Sequence, residues 1–469
     1  MEKRKFLRKF IGDKAFYAMV LSVVMPIIVQ NGITNFVSLL DNIMVGRVGT
    51  EPMSGVAIVN QLLMIYALCI FGGLAGAGIF TAQFFGSGNE EGVRHTFRFK
   101  VWLGVGLTIA ATVILLAFGR FFIGLYLSEG GESDLEATME YGLAYLRIML
   151  IGLPPFMMVQ IYASTLRECS ETLLPMKAGI VAMLTNLVLN YILIYGHLGF
   201  PALGVEGAAW ATVVSRYVEA AIVLIYTHTH ARKHSFVKGL YRTLLVPRHL
   251  TLDIIVKGMP LLLNEALWSS AQAILNQCYS VRGLHAVAAM NISGTIINLF
   301  SVIFFSTGSA VSIVVGQQLG AGNMRKARDT DNKMIAFSMA LASVSALLML
   351  LTAPLFPRIY NTTDTVRDLA TSLMRVHALF MIQISFLNAA YFTLRSGGKT
   401  MITFLFDSVS VWVISIPLAF VLSRYTAISV PWVYALVQAG DIVKCALGVY
   451  LVYRGKWLNN ITGVSPVEE

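Results

Sequence analysis

Residues 83–89 read QFFGSGN and residues 317–323 read QQLGAGN, identical at four of seven positions without a gap and 234 residues apart. The same offset lays Pro26 on Pro260 and Gly49 on Gly283. Self-similarity at a fixed, long period sets the architecture before any local motif is weighed. The sequence therefore reads as one unit written twice.

Outward from these two segments the chain is apolar. Of its 469 residues 56% are hydrophobic and 13% charged, against about 25% charged in soluble domains, which excludes a soluble globule. Apolar runs near the roughly 20 residues that cross a bilayer start at about residues 16, 52, 100, 138, 172, 204, 254, 286, 334, 368, 400 and 429. The offset carries the first run onto the seventh and the second onto the eighth. Six spans per half, an even number, make the copies parallel and relate them by an axis along the membrane normal. The expected fold is an all-α integral membrane protein, with twelve transmembrane helices in two parallel-repeat six-helix bundles around a central cleft. Residues 1–227 and 253–469 are expected as the two lobes, joined by a basic linker at 228–252.

Positive residues near helix ends stay on the cytoplasmic side. With the amino terminus inside, 25 of the 35 Lys and Arg fall in cytoplasmic segments, 6 in outer loops and 4 within spans. The acidic loop with Glu129, Glu132, Asp134 and Glu136 falls outside. Both termini are thus expected in the cytoplasm and the chain in the plasma (inner) membrane. The basic start, MEKRKFLRKF, runs into the first span without a small-residue cleavage site, so it reads as retained.

These loop cations report topology, and no nucleic-acid partner is expected despite the net charge of +10. The four cysteines stand singly, giving neither a zinc site nor a disulfide frame. The spans hold no HExxH, so an intramembrane enzyme is not expected, and a carbonyl filter for a channel is lacking. GSGNEEGVRHTFR and GAGNMRKARDT end the second and eighth spans, and neither is followed by GKS or GKT, so ATP binding has no support. No cofactor is expected. Any pumping must draw on an ion gradient, with the lipid bilayer as surroundings and a small organic molecule as cargo.

Ionisable groups inside membrane helices are costly and mark function. In the first span Gln30, Asn31, Thr34, Ser38 and Asp41 lie on or beside one helical face. The fifth span offers Asn186 and Asn190, four apart, and the sixth Trp210 and Thr212. In the seventh, Glu265, Ser269, Gln272 and Asn276 follow at helical spacing with Trp268 adjacent. Asp41, Asn186, Asn190 and Glu265 are the candidates for ion coupling, whether by proton or Na+. Gln30, Asn31, Thr34, Ser38, Trp210, Glu265, Trp268, Ser269, Gln272 and Asn276 are candidates for substrate contact, where a carboxylate beside an indole suits a cationic aromatic solute. Pro26, Pro260 and Asp407 are candidate gating residues. Asp441 has Lys444 at i+3 and reads as neutralised by it.

The pattern from Pro26 to Asp41 followed by NIMVG, the paired endings at Gln83 and Gln317, and the passage NLVLNYILIYGHLGFPALGVEGAAWATVVSR resemble the multidrug and toxic compound extrusion (MATE) family across essentially the whole chain. That resemblance implies a twelve-helix, two-lobe antiporter that exports organic, often cationic, compounds in exchange for H+ or Na+ by alternating access. It carries the family's first-helix aspartate onto Asp41 and its fifth-helix asparagine onto Asn186 or Asn190. The chain departs from the family in two places. Members with a C-lobe sodium site have acids in helices 7 and 10, whereas here span 10 offers His377, Gln383 and Asn388. Members with an N-lobe site often pair the first-helix aspartate with another in helix 5, where this chain has asparagines. The coupling ion is therefore left open between H+ and Na+, with Asp41 or Glu265 as the place for Na+. Alternative cargoes in the same superfamily are a lipid-linked oligosaccharide, which would want an arginine-rich cavity, or one dedicated metabolite. One chain suffices for alternating access, so a monomer is expected.

Overall fold

The computed structural model describes residues 9–127 and 135–463. The acidic positions 129, 132 and 134 and the amino-terminal residues 1–8 lie outside the described residues, as does the side chain of Ser38. The helices are α1 (Lys14–Gly46), α2 (Thr50–Gly86), α3 (Glu90–Gly124), α4 (Leu135–Ile151), α5 (Leu153–Glu168), α6 (Leu173–Tyr195), α7 (Gly204–Thr229), α8 (Arg248–Ser280), α9 (Leu284–Gly320), α10 (Met324–Thr352), α11 (Asp364–Ser396), α12 (Thr400–Tyr425) and α13 (Val430–Arg454). Among the described residues ten helices are long and apolar enough to cross a membrane, and α4 with α5 makes an eleventh span. The remaining long helix, α8, carries the polar series from Asn264 to Asn276, which lowers its apolar character.

Two spans break for readable reasons. Gly152 is followed by Pro154 and Pro155 at the start of α5. Proline supplies no N–H and sits most comfortably in a first helical turn, so the chain restarts there with a bend of 47°. In α12, Leu405–Val409 and Val411–Ser415 are π-helical, a local widening that re-aims side chains and recurs at functional sites.

The repeat is visible in the backbone. Gly88 and Gly322, repeat equivalents, both take positive φ, 73° and 78°, and end α2 and α9 in the left-handed conformation open to glycine. In each copy an asparagine N–H closes the turn, Asn89 onto the Phe84 carbonyl at 2.9 Å and Asn323 onto that of Gln318 at 3.2 Å.

The chain divides into two compact units. One holds residues up to Ile28, Ala82–Asn89 and the chain from Ile255 onward; the other holds Val29–Thr81 and Glu90–Ile254. In the first, Val20, Val24 and Ile27 of α1 pack with Val311, Val315 and Leu319 of α9, Leu394 of α11 and the wholly buried Trp457. In the second, Phe97 of α3 meets Tyr162 of α5 edge to face at 4.9 Å. The linker is tied down there as well: Arg98 donates to the carbonyls of Leu240 at 2.9 Å and Gly239 at 3.1 Å, and Trp102 to that of Leu244 at 3.0 Å. Lys233 pairs with Glu171.

Candidate functional site

On α6 the four-residue spacing of Asn186 and Asn190 puts both amides on one buried face. Asn190 Nδ2 donates to Asp41 Oδ1 of α1 at 2.5 Å and lies 3.1 Å from Asn186 Oδ1, while Asn186 Nδ2 donates to Thr212 Oγ1 of α7 at 3.3 Å. Three helices thus contribute to one polar chain that ends on a carboxylate. The Tyr195 hydroxyl donates to the Met44 carbonyl at 3.1 Å and fixes α6 against α1 a turn further on. Among the described residues Asn190 Oδ1 is buried without a partner. Such an orphaned acceptor beside a carboxylate is the donor set that a small cation or an added proton completes.

The other α1 residues divide. Gln30 Oε1 accepts from Arg167 Nη1 at 3.2 Å, and the Thr34 hydroxyl turns back onto the Gln30 carbonyl at 3.0 Å. Asn31 is partly buried. Trp210, 38% exposed, takes no part in the Asp41 chain, and its neighbour Thr212 does. Ser38 shares the helix of Asp41, and its side chain is outside the described residues.

Cations around this cluster were less legible in the sequence. Arg167, which loop counting places in a cytoplasmic segment, is helical in the last turn of α5. Arg216 of α7 stands 5.1 Å from the centroid of Phe156 and within electrostatic reach of Asp41 and Glu219. Lys100 is wholly buried and donates to Glu168 Oε2 at 2.5 Å, with Ser164 and Thr165 hydroxyls at 3.2 and 3.1 Å. Nothing in its spacing announces the Lys100–Glu168 pair, because it joins different helices.

In the other unit the partner of Lys444 differs from the one its spacing suggests. Lys444 lies within electrostatic reach of Asp441, but its ammonium donates to Asp407 Oδ1 at 2.6 Å, and Asp441 accepts from Ser415 at 3.2 Å. Asp407 also accepts from Asn264 Nδ2 at 3.1 Å, and the adjacent Ser408 donates to Asn264 Oδ1 at 2.6 Å. The π-helical turn lets the consecutive residues Asp407 and Ser408 both face Asn264. Asn264, one residue before Glu265, was not singled out by sequence.

Glu265 lies in the electrostatic field of Arg395 and Asp407. Along its helical face Trp268, Ser269 and Gln272 are partly buried and Asn276 is exposed. Pro260 is buried on the same helix and Pro26 on α1; the division between the compact units falls two residues beyond Pro26. His377 and Gln383 of α11 turn to α13, meeting the Tyr434 hydroxyl at 2.9 Å and the Gln438 carbonyl at 2.9 Å. Among the described residues no three His, Cys, Asp or Glu side chains converge as metal ligands.

Comparison with known proteins gives this geometry its setting. The sequence-family model described as MatE matches residues 26–192 and again 260–421. The two matches begin at Pro26 and Pro260, one repeat offset apart. The probable multidrug resistance protein NorM of Thermotoga maritima is 24% identical over 442 residues, covering 93% of this chain and 92% of the relative. The multidrug resistance protein MdtK of Edwardsiella ictaluri is 26% identical over 406 residues, 86% of this chain and 87% of the relative. Among solved structures, an outward-facing multidrug resistance MATE transporter of the MOP superfamily superposes with a TM-score of 0.85 at 20% identity, covering 94% of this chain and 96% of that one. A MOP-superfamily transporter from Pyrococcus furiosus, described as having a binding pocket of reversed polarity, superposes at 0.82 with the same identity and coverage. Two family matches spanning most of a twelve-helix membrane chain, each starting where its repeat starts, settle the assignment: this protein belongs to the MATE family of multidrug efflux transporters.

Proposed function

We propose that this multi-pass membrane transporter exports organic cations or amphipathic compounds from the cytoplasm by antiport, with Asp41, Asn190, Asn186 and Thr212 as the coupling-ion site. The observation that carries the reading is the Asp41–Asn190 bond beside the orphaned Asn190 Oδ1. Asn190 has spent its amide on Asp41, and its own oxygen still needs a donor or a cation. A proton on Asp41 or a Na+ between the two oxygens meets that need, and either would change the attraction of the site for a cationic substrate. Antiport follows when ion and substrate prefer opposite conformations, because a ligand shifts an equilibrium only by its differential affinity.

Glu265, with Trp268, Ser269 and Gln272, is the companion substrate surface in the second half, and Gln30, Asn31 and Thr34 are its counterpart beside Asp41. Pro26 and Pro260 are proposed as flexion points. The remaining parts of the reading are a monomer in the plasma membrane, both termini in the cytoplasm, lobes at 1–227 and 253–469, and no ATP. A pyrophosphate-bearing lipid is disfavoured as cargo, because Lys100, Arg167 and Arg216 each have an acid nearby, Glu168 for the first and Glu219 for the two arginines. The test is efflux from proteoliposomes loaded with a fluorescent organic cation or an organic anion of similar size. The cation should leave under an imposed Na+ or pH gradient and the anion under neither. Movement of the anion alone would overturn the assignment of substrate class.

A further inference from the structure

A carboxyl outside both clusters stands on α10. Asp331 has no solvent exposure and lies seven residues into its helix, about 10 Å along it. Its Oδ1 is 2.6 Å from Thr393 Oγ1 of α11, and among the described residues its Oδ2 is buried without a partner. Neighbouring cations are engaged elsewhere: Lys333 with Asp329 and over the Phe16 ring, Arg328 with the Tyr453 carbonyl, Arg395 over Phe392. The facing helix α9 has one titratable residue, His285, at its opposite end. Among the described residues no cation pairs with Asp331.

The Thr393 hydroxyl has one proton and two acceptors in range, Asp331 and the Ala389 carbonyl at 3.0 Å. Given to the carboxylate, that proton leaves a full buried charge with a single hydrogen bond and a bare second oxygen, which burial penalises heavily. Given to Ala389, the usual helical back-bond of threonine, it leaves the 2.6 Å contact needing a proton from Asp331, and that distance is normal for O–H···O. Packing alone does not ask for an acid. The repeat equivalent of Asp331 is Phe97, also fully buried, and the flanking pairs Val93 with Ala327 and Thr96 with Thr330 are buried in both halves.

We propose that Asp331 is a proton-binding site of the second half, separate from Asp41, whose carboxyl carries a proton in this conformation and donates it to Thr393. Use of that proton in transport rests on the antiport reading above, whereas its presence does not. The experiment is infrared difference spectroscopy of the full chain in lipid at neutral pH. The carbonyl-stretch band of a buried neutral carboxylic acid is expected in the native protein, lost in Asp331→Asn and kept in Asp41→Asn. In Thr393→Val the band should move, because the acid loses its acceptor. A band unchanged in Asp331→Asn overturns the proposal. If that variant fails to fold, the Thr393→Val spectrum decides: a displaced band supports the site and a fixed one overturns it. A native protein that shows the Asp331 band yet drives no efflux under either gradient removes the antiport reading and leaves the proton site standing.

Discussion

Gly86 packs so tightly on Gln317 that an added Cβ would lie 1.9 Å from the Gln317 carbonyl oxygen, and its repeat equivalent Gly320 stands at the same 1.9 Å from the carbonyl of Gln83. The two copies of the motif cross each other reciprocally, so each glycine is demanded by its counterpart's backbone. A carbonyl cannot withdraw as a flexible side-chain end can. Gly86→Ala and Gly320→Ala should each destabilise by about 1–3 kcal/mol or more, read as a lowered thermal midpoint in detergent. Gly88→Ala meets open space and is strained only by its positive φ, so it should cost about 1–2 kcal/mol.

Gln83 ties this crossing to the end of the chain. Its Nε2 donates to the carbonyls of Ser396 at 2.9 Å and Asn459 at 3.2 Å, and its Oε1 accepts from the Ile461 N–H at 2.8 Å. Gln83→Leu removes the partner of one buried carbonyl, that of Ser396, worth about 1–3 kcal/mol, and of two half-buried backbone groups, the Asn459 carbonyl and the Ile461 N–H. Hydrogen exchange should rise at residues 459–461 in that variant while α6 and α7 stay protected.

The twelve spans, the repeat and the stopping glycines could be read from composition and spacing, since each is local or periodic. So could the grouping of Asp41 with Asn186 and Asn190, because an i, i+4 pair must share a face and an intramembrane carboxylate must find partners. The Asp407 network escaped such reading. Lys444 is 37 residues from Asp407 and has a nearer acid at i−3, yet its hydrogen bond goes to Asp407, which lies in a π-helical turn of α12. Arg167 looked like a loop cation because charge near a helix end is ambiguous until the helix is seen to continue. The exposed Trp210 drew attention by type, and the plainer Thr212 makes the bond.

The Asp407–Lys444 pair yields a thermodynamic cycle. Both side chains are largely withdrawn from solvent, so removing one partner strands a charge. Lys444→Met should cost about 3–5 kcal/mol, whereas adding Asp407→Asn should restore most of that loss. Thermal unfolding of the two single variants and the double variant checks this. Additive losses would mean that the pair is not coupled.

His234, in the linker, is buried, and burial holds its imidazole below its ordinary value, with Nε2 left without a partner among the described residues. A folded-state value below the unfolded one favours the neutral ring, so this contribution is present above about pH 6.5 and is lost as the pH falls through the lower folded value. Hydrogen exchange in residues 234–241 should accelerate on acidification, and His234→Phe should reduce that pH dependence, leaving the part due to His228, which stacks on Tyr241.

The central claim is that Asp41 couples the ion to export. Its bond with Asn190 is charge-assisted, a class worth about 1.5–3 kcal/mol, so Asn190→Ala should weaken ion dependence by roughly tenfold to a hundredfold. The most direct measurement is efflux of a fluorescent organic cation from proteoliposomes under imposed Na+ and pH gradients, native protein against Asp41→Asn, which keeps the shape of the side chain and removes its charge. The account predicts gradient-driven efflux by the native protein and none by the folded variant. Efflux by Asp41→Asn at the native rate under the same gradient would contradict it.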